Sequence, residues 1–285
     1  MSKIMEKIFG PIPEEVERQI DALPVFSQSN SGQDEFGFSR EGLKPYAPLM
    51  LFFYKKWFRV ELNGVENIPD SGPAIIVPNH SGQIPLDGAM IATGCLMEKL
   101  HPRVSRAMVE KWFPTLPLLS TMIARCGQVV GVMQNAESLL ERGELLMIFP
   151  EGMKGSGKLW PQRYQLQNFA VGFMELAIKF RAPIIPTAVI GSEEQAPSFY
   201  NVEPIAKKLG MPYFPLTPQF PWLGLLGFLP FPSKYRIYVG EPMDFSDHAG
   251  DLDNPEAIRE LADSVRDRVQ EMVNEGLKKR PFPGF

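Results

Sequence analysis

From about residue 58 onward, short apolar runs alternate with stretches of helical periodicity, and this alternation constrains the fold more than any other feature of the chain. Runs at 58–62, 74–78, 104–109, 128–132, 144–149, 183–190 and 235–240 have the length of buried strands. Helical patterns at 86–99, 115–124, 134–142 and 168–181 fall between most of them. Strands separated by helices are joined by crossovers, which lay them side by side in one direction. The expected fold class is therefore α/β, with a mixed, largely parallel sheet flanked by helices. At 285 residues the chain can bury a full core. The last helix is the clearest. Asn254 caps it, Pro255 takes the first helical position, and Ile258, Leu261, Val265, Val269 and Met272 recur at helical spacing. It reads as an amphipathic surface helix with no chemistry of its own. The cations after it, Lys278, Lys279 and Arg280, either touch lipid or are solvated, and the solvated reading is favoured.

The part before residue 58 has a different character. Residues 13–23 pattern as a short helix, and residues 24–40, rich in Ser and Gly, as a loop. Residues 46–62 read YAPLMLFFYKKWFRVEL, an apolar half followed by Lys55, Lys56, Trp57 and Arg59. That mix suits a helix at a membrane interface, with aromatics at headgroup depth and cations on lipid phosphates. The alternative is a helix packed on the domain with a basic tip. The chain thus divides into an N-terminal helical, membrane-associating region, 1–57, and an α/β domain, 58–285. No run of about 18 uninterrupted apolar residues occurs, so a spanning helix is not expected. Neither is a signal peptide, because MSKIMEKIFGPIPEE has no long apolar core and no cleavage site. The 28 prolines cluster with aromatics at 212–232. There Trp222, Leu223, Leu225, Leu226, Phe228 and Leu229 stand with almost no charge. Such a segment is either core or an apolar lip that dips into a bilayer, and its density favours the lip. A net charge of −4 argues against nucleic acid. Two cysteines in apolar settings, Cys95 and Cys126, exclude a disulfide framework and point to a reduced compartment.

Two stretches carry candidate chemistry. The first is NHSGQIPLD, residues 79–87. An apolar run leads into it as a strand, and Pro85 opens a helix at the position where its missing N–H matters least. His80 is therefore expected at a strand end and Asp87 in a first helical turn, where the dipole favours a carboxylate. A neutral imidazole beside an ionised aspartate is a usable general base. The carboxylate fixes the tautomer and stabilises the imidazolium that forms. The bland alternative is a turn histidine and a helix-capping aspartate. His101 and His248 lack such a setting and read as surface residues, and three histidines are too few for an ordinary zinc site. The second stretch is PEGMKGSGK, residues 150–158, after the apolar run 145–149. Glycines at 152, 155 and 157 let backbone N–H groups approach an anion, and Lys154 and Lys158 add positive charge. Gly152 to Lys158 also fits most of a nucleotide phosphate loop, G-x-x-x-x-G-K. Leu159 stands where that loop needs Ser or Thr, and Pro161 interrupts the helix that should follow, so the nucleotide reading is the weaker one. No G-x-S-x-G nucleophile elbow occurs.

Together these stretches resemble the glycerolipid acyltransferase family, which contains lysophosphatidate and monoacylglycerol acyltransferases, over roughly residues 58–245. The family's first motif is a His, often preceded by Asn, with an Asp downstream; Asn79, His80 and Asp87 match it. The third is Phe-Pro-Glu-Gly followed by a basic and a small residue; Phe149, Pro150, Glu151, Gly152, Lys154 and Gly155 match it. The fourth is an apolar strand carrying proline, here APIIPTAVIG, residues 182–191. Six residues separate His80 from Asp87 where four are commonest, a spacing similar to the monoacylglycerol acyltransferase-like branch. The arginine of the second motif is missing from 127–137, with Arg125 just upstream, which counts against an acceptor bearing a free phosphate. Lys154 stands where the family often has Arg, and lysine meets a phosphate as a point charge rather than a fork.

The resemblance implies O-acyl transfer from a thioester, acyl-CoA or acyl carrier protein, to a glycerolipid hydroxyl, with no cofactor and no metal. His80 would be the base and Asp87 its orienting partner. Asn79, Phe149, Pro150, Glu151, Gly152 and Lys154 would surround the acceptor. The implied partners are membrane lipids, the lipid acceptor and the acyl donor, not nucleic acid, and the implied location is peripheral on the cytoplasmic side of a membrane. The alternative is a lipid-binding protein that keeps the fold without catalysis.

Overall fold

The structure is a computed structural model that describes residues 2–24, 32–80, 85–111, 119–209, 214–280 and 282. Its strands are β1 (Glu61–Asn63), β2 (Ala74–Pro78), β3 (Ser105–Val109), β4 (Val129–Val130), β5 (Leu145–Met147), β6 (Ile184–Ile190), β7 (Tyr200–Asn201), β8 (Pro215–Leu216) and β9 (Arg236–Val239). All but β7 and β8, which form a small ribbon, join one sheet in the order β1-β9-β6-β2-β5-β3-β4. Every neighbouring pair in it is parallel except β6 and β9. Each strand expected from the sequence is present. The run at 58–62 moves to 61–63, and that at 128–132 shrinks to two residues.

The helices are α1 (Ser2–Phe9), α2 (Glu14–Ala22), α3 (Arg40–Leu43), α4 (Ala47–Leu51), α5 (Leu86–Met97), α6 (Leu119–Arg125), α7 (Met133–Glu141), α8 (Gly152–Ser156), α9 (Gly172–Lys179), α10 (Glu203–Leu209) and α11 (Pro255–Lys279). The expected helix at 115–124 is described only from 119. Residues 115–118 lie outside the described residues, as do 25–31 of the expected loop.

β2 and β6 are buried at every position, as central strands covered on both faces must be. Their alternation builds two cores. Ile75 and Val77 face one side and pack with Leu140 of α7, Phe173 of α9 and Val265 of α11. Ala74 and Ile76 face the other and pack with Met90 and Cys95 of α5 and with Tyr54 and Phe58. A third cluster, with Val16 and Ile20 of α2 and Leu51 of α4, lies over Leu96 and Met97 of α5. The N-terminal 57 residues therefore share the core of the α/β domain.

Three expectations change. Residues 46–62 are not one helix: helical turns run from Lys44 through α4 to Trp57 and stop, Arg59 adopts φ +45°, and the remainder is strand β1. Pro85 holds the N-cap position of α5, and Leu86 is its first helical residue. Arg280 is not solvated but pairs with buried Glu194 at 2.7 Å, over the Tyr164 ring. The α11 cap is as expected: the Asn254 side chain accepts the N–H groups of Glu256 and Ala257. Among the described residues no helix is long and apolar enough to cross a membrane.

Candidate active site

In an open α/β sheet, ligands bind outside the carboxyl ends of the strands. β2 ends at Pro78, and Asn79 and His80 emerge from that edge. Asn79 is fully buried and ties β2 to β6: its Nδ2 donates to the Val189 carbonyl at 3.1 Å, and the Val189 N–H donates to its Oδ1 at 2.7 Å. It sets the backbone entering His80. The next four residues, 81–84, lie outside the described residues, but the two ends of the segment meet. His80 Nδ1 lies 2.9 Å from Asp87 Oδ2, while Asp87 Oδ1 accepts the Gly88 N–H at 2.8 Å. Asp87 has no exposure; the His80 side chain keeps 13%. With the Nδ1 proton donated to Asp87, Nε2 is the basic nitrogen. Burial works against protonation of this imidazole, but the Asp87 charge and hydrogen bond, with Glu151 behind them, outweigh it and raise its pKa above the ordinary histidine value.

Phe149 and Glu151 arrive from the end of β5, the neighbour of β2. The Phe149 ring lies 4.4 Å from the imidazole centroid. Pro150 is buried and its carbonyl accepts the Ala170 N–H at 2.9 Å. Glu151 is buried, and both its oxygens accept backbone N–H groups: Oε1 from His80 at 2.7 Å, Oε2 from Gln167 at 2.8 Å. Its carboxylate thus grips the histidine's own backbone. Gly152 (φ +55°) opens α8, and Lys154 on α8 is exposed. Gly155 lets α8 close on the pair. Gly152–Ser156 form a short helix, and Lys158 beyond it is buried between Glu151 and Glu193.

Sequence reasoning missed the cavity. A space of about 360 Å³ is lined by His80 and Phe149, by Leu86, Ala89, Leu96 and Met97 of α5, and by Val16 of α2 and Leu23 just after it. Its lining is overwhelmingly apolar. The one signal in the sequence is a set of small and aliphatic residues at helical spacing on α5, hidden because α5 is apolar on nearly every side. Arg125 is not part of this lining. His101 is exposed; His248 is half-exposed and pairs with Asp251 at 2.8 Å. Among the described residues no three His, Cys, Asp or Glu side chains gather as a metal site. An imidazole that lines an apolar cavity, with its Nδ1 held by a carboxylate, can take a proton from a hydroxyl presented beside Nε2.

Residues 59–190 match the family model described as Acyltransferase. The chain is 42% identical over 243 residues to an uncharacterized protein of Mycobacterium tuberculosis, covering 84% of this chain and 68% of that one. It is 25% identical over 229 residues to the Homo sapiens protein named DGAT1/2-independent enzyme synthesizing storage lipids, covering 80% of this chain and 64% of that one. In fold it is similar to the crystal structure of the 1-acyl-sn-glycerophosphate (LPA) acyltransferase PlsC from Thermotoga maritima. The TM-score is 0.53 at 20% identity, with 83% of each chain covered.

Proposed function

The chain belongs to the acyltransferase family, and from that premise we propose that it moves a fatty acyl group from a thioester donor, acyl-CoA or acyl carrier protein, to a hydroxyl of a glycerolipid or lysophospholipid acceptor. The observation that carries this reading is that His80, paired with Asp87, lines an apolar cavity. The cavity suits an acyl chain, whose thioester carbon would then rest beside Nε2. Nε2 takes the hydroxyl proton as the oxygen attacks that carbon, and Asp87 stabilises the imidazolium. Collapse of the tetrahedral species breaks the carbon–sulfur bond, and the thiolate leaves with the proton from Nε2. No acyl-enzyme and no cofactor is required. Gly152 and exposed Lys154 would meet the acceptor headgroup, and the missing second-motif arginine favours an acceptor without a free phosphate.

Such an acceptor sits in a bilayer, and we place the protein peripherally on the cytoplasmic face of a membrane. Two segments support this. Trp57 Nε1 donates to the Pro230 carbonyl at 3.1 Å, so the aromatic turn at 52–57 and the segment 222–229 adjoin. Trp222, Leu223, Leu226 and Leu229 there are exposed, and Lys55 and Lys56 beside Trp57 are exposed without an ion pair among the described residues. The test of the reaction is direct. The pure protein is incubated with acyl-CoA and a panel of lipid alcohols in detergent, and products are identified by mass spectrometry. His80→Ala should lower turnover by roughly 10²–10⁴-fold. A His80→Ala protein as active as the wild type would refute the mechanism.

A further inference from the structure

Behind His80 lies a buried cluster of charge that the acyl transfer itself does not use. Lys158 Nζ sits 3.0 Å from Glu193 Oε1 and 3.4 Å from Glu151 Oε2, and the three side chains are 2%, 5% and 0% exposed. Glu151 connects this cluster to the site, because its other oxygen accepts the His80 N–H. On the far side, Glu193 accepts the Tyr164 N–H at 3.0 Å, and the Tyr164 hydroxyl donates to Glu194 at 2.7 Å. Glu194 pairs with Arg280 just past α11. One set of contacts therefore runs from the end of the last helix to the backbone of His80.

We propose that Lys158 is a positioning residue for the reaction: its ammonium holds the Glu151 carboxylate in place, so that Glu151 grips the His80 backbone and keeps the ring against Asp87. The proposal rests on the reading of His80 as the base. It assigns a role to a lysine outside the motif residues and to its second partner, Glu193.

The electrostatics agree with the geometry. The charged groups that act on His80 are Asp87 from α5, Glu151 from the end of β5 and Lys158 from beyond α8. Glu110, after β3, lines the same cavity, and the buried Tyr235, before β9, feels the Asp87 charge. Asp87 and Glu151 favour the imidazolium, and Lys158 opposes it. Lys158 thus offsets part of the upward pull of the two carboxylates on His80.

The chain has three histidines, so their ring signals can be followed by NMR and His80 assigned with His80→Ala. In Lys158→Met the His80 titration midpoint should rise by roughly half a pH unit or more, with His101 and His248 unmoved. With acyl-CoA as donor, kcat should fall about tenfold or more while KM for the donor stays within about twofold. Lys158→Arg should restore both. Because Lys158→Met leaves two buried carboxylates facing each other, Lys158→Met/Glu193→Gln is prepared alongside it; removing both charges favours a folded protein. A His80 midpoint unmoved in the folded double variant overturns the proposal, whatever the change in melting temperature. The titration needs no substrate. An inactive wild type whose midpoint still shifts would therefore sink the acyl-transfer reading and leave the positional coupling standing.

Discussion

A methyl group at position 155 has no room: built on Gly155 it would lie 2.6 Å from Glu151 Cβ and 3.0 Å from His80 Cβ. Gly155→Ala should therefore destabilise by about 1–3 kcal/mol and depress kcat, whereas Gly250→Ala, with open space around it, should do neither. Thermal unfolding and initial rates on the two variants check this. His80 carries a pH signature of its own. Its folded pKa lies above the unfolded value, so the imidazolium–Asp87 pair stabilises the protein fully below the unfolded value, and that contribution fades as pH rises through the folded one. The neutral base appears over the same window. The rate should accordingly rise with pH about a midpoint above the ordinary histidine value of about 6.5, and Asp87→Asn should bring that midpoint down. A pH–rate profile of both proteins decides it. Much of this pair is legible in the sequence, because an apolar run and a proline mark the strand end and the helix start. The inward turn of Glu151 is not. It depends on Gln167, Lys158 and Glu193, which other elements bring to it.

At the level of elements, the strands are the readable part, since a strand buried on both faces is a continuous apolar run with turn signals around it. The π-helical turns at Phe52–Trp57 are not, because aromatic residues there satisfy helix, strand and membrane patterns alike. Nor is the cavity, because α5 offers no polar face from which to read its orientation. Ala92 lines that cavity about six residues, or roughly 9 Å, along α5 from Leu86. Ala92→Phe should shift the acyl preference toward shorter chains, measured by competition among acyl-CoA donors with product masses as the readout. An unchanged product distribution would mean that the chain lies elsewhere. The exposed segment after the cis Phe220–Pro221 bond gives a second test. Trp222→Ser with Leu226→Ser should weaken co-sedimentation with anionic phospholipid vesicles and leave the melting temperature nearly unchanged. A large fall in melting temperature with unaltered vesicle binding would make the segment core.

For the whole molecule, net charge and local charge point different ways. The chain is acidic, at −4, yet Lys7, Lys55 and Lys56 are exposed cations near the aromatic cluster formed by Phe9, Phe52 and Trp57. Vesicle binding should therefore need anionic lipid and weaken as salt rises, because exposed charges are screened within about 10 Å at 0.1 M. A larger consequence lies in the pairing of the first strand with the last. Among the described residues β1 bonds only to β9, Phe58 stacks on Tyr235 at 4.4 Å, and Trp57 reaches Pro230 across 173 residues of chain. During synthesis at about 5–20 residues per second, the aromatic turn would wait roughly 10–35 s for its partner. For that interval a sticky surface stands bare beside the ribosome, and a chaperone or the bilayer itself is a natural guardian. Nascent chains halted near residue 230 should be captured by such holders and cut readily by protease, and extension past β9 should release and protect them.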